Sequence, residues 1–390
     1  MNEFISYPVG QGFFYSGTIN KFQLVYDCGV ESKGKSKIEI NSLKRLVDYY
    51  ELEVNDTKVI DMLVISHFDY DHVSGLLYLL SKYNVRKMYI PYYNNPKILY
   101  LINLLIYISG SFIEDIILIP PLSNDNEPQE PGDERLEPFE SDDIPKDSGF
   151  RVFVGGNSFI DCDIEWEFYF FNMPIKNGAE LDGWINPLKD KIDELMTVYG
   201  VDTISELVSV LKNIHSFTIK EIKELIYKEE LENNSDLTKG DWSNNSSLCL
   251  YHRPRLKGKT LFSYSKLCCD FDEWYHDYCC SYHRVHRTGT LLTGDINLAN
   301  KRIKEFRKWL NQNSLEESTG VIYLPHHGAI KNWHEYLKNV AVKNNSISIS
   351  SAGKNNSYGH PSSKIMMDYK RSGLIHIKCD EDNHFEYYID

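Results

Sequence analysis

The sequence predicts an α/β fold. Three observations carry that expectation. Short strand-like runs alternate with helical stretches as far as residue 120, and the strand pattern resumes after residue 233 and continues to the C-terminus. Histidines and aspartates also stand repeatedly where an apolar run gives way to a loop, as in "LVISHFDYDH", "LLTGD" and "VIYLPHHG".

The first part of the chain holds the runs "FQLVYDCG", "KVIDMLVISH", "RKMYIPYY" and "DIILIP", with helical stretches between them. Its most apolar stretch, Ile98 to Ile108, is too short to span a bilayer and is bounded by Lys97 and by Glu114-Asp115, so no membrane association is expected. Residues 123–148 change character. They carry ten acidic residues, two basic ones and four prolines, with almost nothing to bury, which predicts a flexible acidic loop. Strand character returns in "FRVFVGG" and "IEWEFYFFNMP". Residues 181–233 predict a helical insertion: Thr203…Glu206 and Thr218…Glu221 fit capping boxes, and Ile204, Leu207, Val208 and Leu211 keep helical spacing. The runs "SLCLYHR", "GTLLTGD", "GVIYLPHHG", "SISISSAG" and "LIHIKCD" complete what is expected to be a single domain over residues 1–390.

Charge and cysteine usage bound the function. The formal net charge of −14 excludes a general electrostatic affinity for nucleic acid or membrane surfaces, so a polyanionic substrate must be held locally by metal or by a basic groove. Eight cysteines in 390 residues, and an opening Met1-Asn2-Glu3-Phe4 that leads straight into a strand, predict a reducing cytoplasmic location.

The stretch "SHFDYDHVSG" sets His67, Asp69, Asp71 and His72 within six residues of one another after an apolar strand. In extended backbone His67, Asp69 and Asp71 project to one side, and His72 joins them from the turn. Imidazole and carboxylate together are the ligand set of a divalent cation; a polar loop capping the strand is the alternative. Asp295 and the pair His326-His327 also end strands, so several strand ends could deliver ligands to one sheet edge.

Two other clusters stand apart. Cys268, Cys269, His276, Cys279, Cys280, His283 and His286 fall within 19 residues, either as a structural zinc site or as free cysteines of a hairpin, and their spacing matches no familiar finger. Arg253, Arg255, Lys257 and Lys259, beside His252, form the clearest basic stretch, read either as a nucleic-acid contact or as a solvated loop.

Taken in order, "VGQG", "DCG", "SHFDYDHVSG", "NNSSL", "LLTGD", "PHHG" and "SAGKNNSYGHP" resemble the metallo-beta-lactamase fold, in the branch found as the nuclease domain of the ComEC competence proteins. The resemblance covers roughly two thirds of the chain and leaves out the acidic loop and the helical insertion. It implies a four-layer αββα sandwich with a two-metal site at one edge of the paired sheets. His67 and Asp69 would serve one metal, Asp71 and His72 the second, Asp295 would bridge them, and one of His326 and His327 would complete the second site. Asp27 would orient the site from behind the ligands. Ser351, Gly353, Asn356 and His360 would line the substrate phosphate; His360 could also protonate the leaving oxygen, or merely fix the turn before Pro361.

Two departures stand out. Asp69 occupies a position where the family usually has histidine, and Asn172-Met173 stand near where a mid-fold histidine is often found. A carboxylate in that position favours manganese, magnesium or iron over zinc; loss of the first metal is the competing outcome. The activity implied is hydrolysis of phosphodiesters by metal-activated water, with the two cations about 3.5–4 Å apart. Asp71, Asp295 and His360 are the residues expected to carry it. A nuclease acting on DNA is the first reading. A phosphodiesterase for a small nucleotide or other phosphoester is the second, and a pseudoenzyme serving as a binding module the third. The acidic segment 123–148, with a net charge of −8, is expected to lie over the cationic cleft until a regulatory partner such as a protease or sensor, in a bacterial defence setting, displaces or cuts it.

Overall fold

A computed structural model describes residues 1–31, 37–50, 57–92, 98–122, 132–141, 144–145, 148–173, 192–214, 247–256, 258–267 and 281–390. Among these, eleven strands form one sheet in the order Ser281–Val285, Leu261–Leu267, Asn383–Ile389, Asn2–Ser6, Phe14–Ile19, Phe22–Cys28, Val59–Val64, Asn84–Pro91, Ile113–Ile119, Arg151–Gly155 and Leu136–Pro138. Seven form the other, in the order His376–Cys379, Ile347–Ser351, Thr319–Tyr323, Gly289–Leu292, Cys249–Pro254, Trp166–Phe171 and Ser158–Asp161.

The central strands are apolar over most of their length because both of their faces are buried. Neighbouring residues separate by the period-two rule. Val25, Leu63 and Ile116 face a core shared with the helices Lys37–Tyr49, Leu76–Leu80, Ile98–Ser109 and Ile204–Ile214, whereas Leu24, Met62 and Ile117 face the other sheet. In the second sheet Leu292 and Val321 join that middle core. Leu291 and Ile322 face the helices Ile303–Gln312, Glu335–Asn344 and Ser363–Arg371 through Phe306, Trp309, Leu337 and Ile365. Three apolar cores between four layers make the αββα sandwich that was expected.

The parallel strands set the position of the site. Phe22–Cys28 runs parallel to Val59–Val64, and Gly289–Leu292, Thr319–Tyr323 and Ile347–Ser351 run parallel to one another. Their C-terminal ends therefore open on one edge, where the loops between strands and helices converge. The two sheets are joined there: the Leu248 amide donates to the Ser66 carbonyl (2.8 Å), and the Tyr26 hydroxyl donates to the Leu248 carbonyl (2.7 Å).

Two expectations change. The described part of the acidic segment is not a free loop, because Leu136–Pro138 adds an antiparallel edge strand to Arg151–Gly155. The Leu136 side chain packs on the middle core, and the Glu134 carboxylate takes hydrogen bonds from Lys87 and Tyr89. Phe139 and Ile144 pack on the helix-side core, so a few apolar residues and one paired carboxylate anchor this stretch. Residues 123–131, 142–143 and 146–147 lie outside the described residues. Within the helical insertion, a helix at 192–199 and the helix Ile204–Ile214 bury Ile192, Ile204, Leu207 and Val208 in the helix-side core of the first sheet. Thr203 caps the second of these, its hydroxyl accepting from the Glu206 amide (3.2 Å) while Glu206 accepts from the Asp202 amide (3.0 Å). The Thr218…Glu221 box, Leu211's side chain and residues 268–280 of the Cys/His cluster lie outside the described residues. No helix among the described residues is long and apolar enough to cross a membrane.

Candidate metal centre

The strand Val59–Val64 delivers Ile65, Ser66 and His67 to the shared edge, and the short helix Tyr70–Val73 turns Asp71 and His72 back toward it. Close packing makes that turn: a Cβ on Gly29 would lie 2.3 Å from the Asp71 carbonyl oxygen, so only glycine admits the approach. Asp27, one residue before the end of its strand, is in the left-handed region (φ 55°) and is fully buried. Its carboxylate accepts from the Ser66 amide (2.7 Å), the Ser66 hydroxyl (2.6 Å) and His72 Nδ1 (2.8 Å). With Nδ1 so committed, His72 turns Nε2 to the site. Ser247, in the loop before Cys249–Pro254, does the same for the neighbouring ring. Its Oγ lies 3.2 Å from His67 Nδ1 and accepts from the Asp295 amide (2.9 Å).

His326 and His327 are consecutive non-glycine residues with positive φ (48° and 56°). Such a conformation costs about 1–3 kcal/mol per residue and persists only where the surroundings enforce it. Here the His326 amide donates to the Gly294 carbonyl (3.0 Å) and the Ser362 amide to the Gly328 carbonyl (3.0 Å). The strain sends the two rings to different places. His327 is buried, with Nδ1 2.7 Å from the Ser351 carbonyl oxygen and Nε2 3.1 Å from Asp71 Oδ2. His326 puts Nδ1 2.9 Å from Asp295 Oδ2.

Asp295 divides two groups of donors. Its Oδ1 faces His72 Nε2 (3.2 Å) and His327 Nε2 (3.8 Å), while Oδ2 faces His326 Nδ1 and His67 Nε2 (3.9 Å). Donor atoms of Asp71, His72, Asp295 and His327 all lie within 4.8 Å of one another. His67 Nε2 also lies 3.5 Å from Asp69 Oδ2, whose side chain stays 36% exposed. His326 and His327 thus part company, His327 joining Asp71 and His72, and His326 standing on the His67 side of Asp295.

The electrostatics call for positive charge at this edge. Burial alone would push the Asp295 and Asp71 carboxyls up. The imidazoles of His326, His72 and His327 around the first, and of His72 and His327 beside the second, hold both well below the usual carboxylate range. Burial opposes protonation of His72, yet Asp295, Asp71 and Asp27 raise it well above the ordinary imidazole value. His67 Nε2 and His72 Nε2 are buried without a geometrically sound hydrogen bond among the described residues. Orphaned imidazole nitrogens facing buried carboxylates suit a divalent cation, which would displace the protons that otherwise balance the charge.

The remaining candidates surround this group. Ser351 is buried; its carbonyl receives His327 and its hydroxyl donates to the Gly10 carbonyl (3.3 Å). Gly353 packs against the "VGQG" turn, where a Cβ would meet the Gln11 amide nitrogen at 3.2 Å and Glu381 Oε1 at 2.9 Å. The Asn356 side chain closes its own loop, donating to the Gly353 and His360 carbonyls (2.7 Å each) and accepting from the His360 amide (2.9 Å). His360 is half-buried, its ring perpendicular to His326 with centroids 5.5 Å apart. Asn172, in the mid-fold position, donates to the Ile119 carbonyl (2.7 Å) and ties one sheet to the other.

The basic stretch lies elsewhere. Cys249–Pro254 begins at the site edge and runs antiparallel to Gly289–Leu292, so Arg253, six residues beyond Ser247, is about 20 Å along the strand toward the opposite edge. Its guanidinium pairs with Glu167 (2.6 Å) and donates to Ser318 Oγ (2.7 Å). Arg255 lies 3.7 Å from Glu165, Lys259 is partly buried, and Lys257 lies outside the described residues. His252 is buried between the sheets against Tyr15 (2.9 Å) and Trp166 (3.2 Å), and burial pushes it down to about 3. The sequence reading assigned no role to Ser66 or Ser247; "SH" and "NNSSL" are the signals, and only contact across the two sheets gives them meaning.

No curated protein matches the chain. Among solved structures, that of unliganded yeast PDE1 is similar over 100% of both chains, with a TM-score of 0.39 and 10% sequence identity. Residues 18–140 match the metallo-beta-lactamase superfamily, and this stretch contains Asp27 and the whole segment from His67 to His72.

Proposed function

We propose that the protein is a divalent-metal-dependent hydrolase of phosphodiesters and that its substrate is DNA. The observation that carries the reading is Asp295, whose Oδ1 lies 3.2–3.8 Å from His72 and His327 and whose Oδ2 lies 2.9–3.9 Å from His326 and His67, so that one carboxylate would serve both cations. Asp71, His72 and His327 would hold one cation, and His67, Asp69 and His326 the other. Bound manganese, magnesium or zinc would supply Lewis-acid polarisation and a lowered pKa for water. The choice of DNA rests on the motif order, which resembles that of the ComEC-type nuclease domains.

The chain's own groups do the rest. Asp27 and Ser66 fix the tautomer and angle of His72, and Ser247 braces both His67 and the Asp295 backbone. Burial, with His327 and His326 nearby, pushes His360 down to about 4, so at neutral pH it is an uncharged imidazole. It can donate one N–H to a non-bridging phosphoryl oxygen, and it carries no spare proton for the leaving group.

Purified protein is incubated with plasmid, linear DNA, RNA and cyclic dinucleotides, each with manganese, magnesium or zinc. Metal-dependent cleavage of DNA is expected, and it is abolished in Asp71→Ala and Asp295→Ala while circular dichroism stays unchanged. Wild-type rates in both variants would overturn the metal mechanism. A small phosphoester is the second reading, favoured by the Arg253–Glu167 ion pair, which takes away a guanidinium that a DNA track would use. Turnover of cyclic dinucleotides without cleavage of DNA would select it.

A further inference from the structure

We infer that Tyr358 is a stacking platform for a nucleobase of the substrate, next to the scissile phosphate. This rests on the phosphodiester-hydrolase reading and assigns the place at which a base of the substrate is held. The Tyr358 ring is 44% exposed, among the large side chains that the fold leaves open. It lies parallel to His360, with ring centroids 5.6 Å apart and an interplanar angle of 10°. His360 in turn meets His326 at 5.5 Å, so a continuous row of rings leads from solvent to the metal-facing histidines.

The loop is built to hold that ring flat. Gly359 has φ 71°, and a Cβ there would meet nothing within 4 Å, so the glycine serves the backbone turn rather than packing. The turn folds Tyr358 back over the residue two places on. Asn356 clamps the same loop through three hydrogen bonds, and the Tyr358 hydroxyl donates to the Glu31 carboxylate beside the "VGQG" turn. An aromatic side chain pinned at its hydroxyl and backed by a second ring has lost its rotamer freedom before any ligand arrives. A phosphodiester group at the metal-facing histidines has its flanking base within reach of this ring, and stacking tolerates any base because each has a π-face.

The test compares a thymidine tetranucleotide with its abasic counterpart, by turnover with manganese and separately by fluorescence anisotropy of the 5′-labelled molecules. The wild-type chain should show an abasic-to-intact KM ratio of about 5–160, the range expected for one stacked base. In Tyr358→Ala the ratio should fall close to 1, and Tyr358→Phe, which keeps the ring and loses the Glu31 bond, should restore it. A wild-type enzyme that cleaves both molecules with equal KM overturns the platform and leaves the hydrolase intact. Preferential binding of the intact molecule without cleavage supports the platform and sinks the hydrolase. Absence of both binding and cleavage sinks both. If Tyr358→Phe loses as much as Tyr358→Ala, the aromatic ring alone does not hold the base, and the platform as proposed is overturned.

Discussion

Asp27 shows how much a site owes to a residue that faces away from it. Its buried carboxylate accepts three hydrogen bonds, one from His72 and two from Ser66, and Ser66 Oγ lies 2.9 Å from His67 Nδ1. Replacing it by Asn keeps the shape and removes the charge that fixes the His72 tautomer. Asp27→Asn is therefore expected to weaken metal binding about 10–100-fold while the chain stays folded, measured by isothermal titration with manganese. Unaltered affinity would mean that the histidine is oriented by packing alone. Asp69 is more exposed, and its carboxylate lies 3.5 Å from His67 Nε2. Elemental analysis should find less metal in Asp69→Ala, and Asp69→His should shift preference toward zinc. Unchanged metal content in Asp69→Ala would remove this side chain from the ligand set.

At the scale of elements, direction matters as much as identity. Arg253 and Ser247 are close in sequence, yet one strand carries them to opposite edges of the sheet, and the basic stretch ends up pairing with Glu167 and Glu165. Charge density along a chain says nothing about the edge on which it emerges. The acidic segment holds the same lesson in reverse, since Leu136 and Glu134 tie its described part to the sheet through the middle core, Lys87 and Tyr89. Replacing residues 132–141 with a Gly/Ser linker is expected to cost about 1–3 kcal/mol of stability, through lost burial of Leu136 and lost pairing at the sheet edge. Denaturant unfolding checks this. An undiminished midpoint together with faster hydrolysis would show the segment to be a restraint on the enzyme rather than a structural edge.

At the scale of the whole molecule, four layers close around a site that brings together two buried carboxylates and several imidazoles, and bound metal should stabilise the fold by mass action. Manganese at a hundred times its Kd adds about 2.7 kcal/mol. Calorimetry should show Tm rising with manganese and falling with EDTA, a response absent from Asp295→Ala; an equal response in that variant would place the stabilising metal elsewhere. The strands Asn2–Ser6 and Asn383–Ile389, which join the two ends of the chain, set a second dependence. Burial, and then the neighbouring Glu386, push Glu3 up to about 7. Because the folded value lies above the unfolded one, this contribution is full below about pH 4.5 and is lost as pH rises to about 7. Tm measured from pH 5 to 8 should therefore fall less steeply in Glu3→Gln, and an identical slope would clear Glu3 of the effect. By itself the sequence determined the α/β class and the metal-type motifs, because apolar periodicity and the grouping of His67, Asp69, Asp71 and His72 are local properties of the chain. The separate positions of His326 and His327, the bracing by Ser66 and Ser247, and the remoteness of Arg253 were decided only by the tertiary structure. Each depends on which strand ends share an edge and on backbone angles that packing enforces, and neither is written in any single segment.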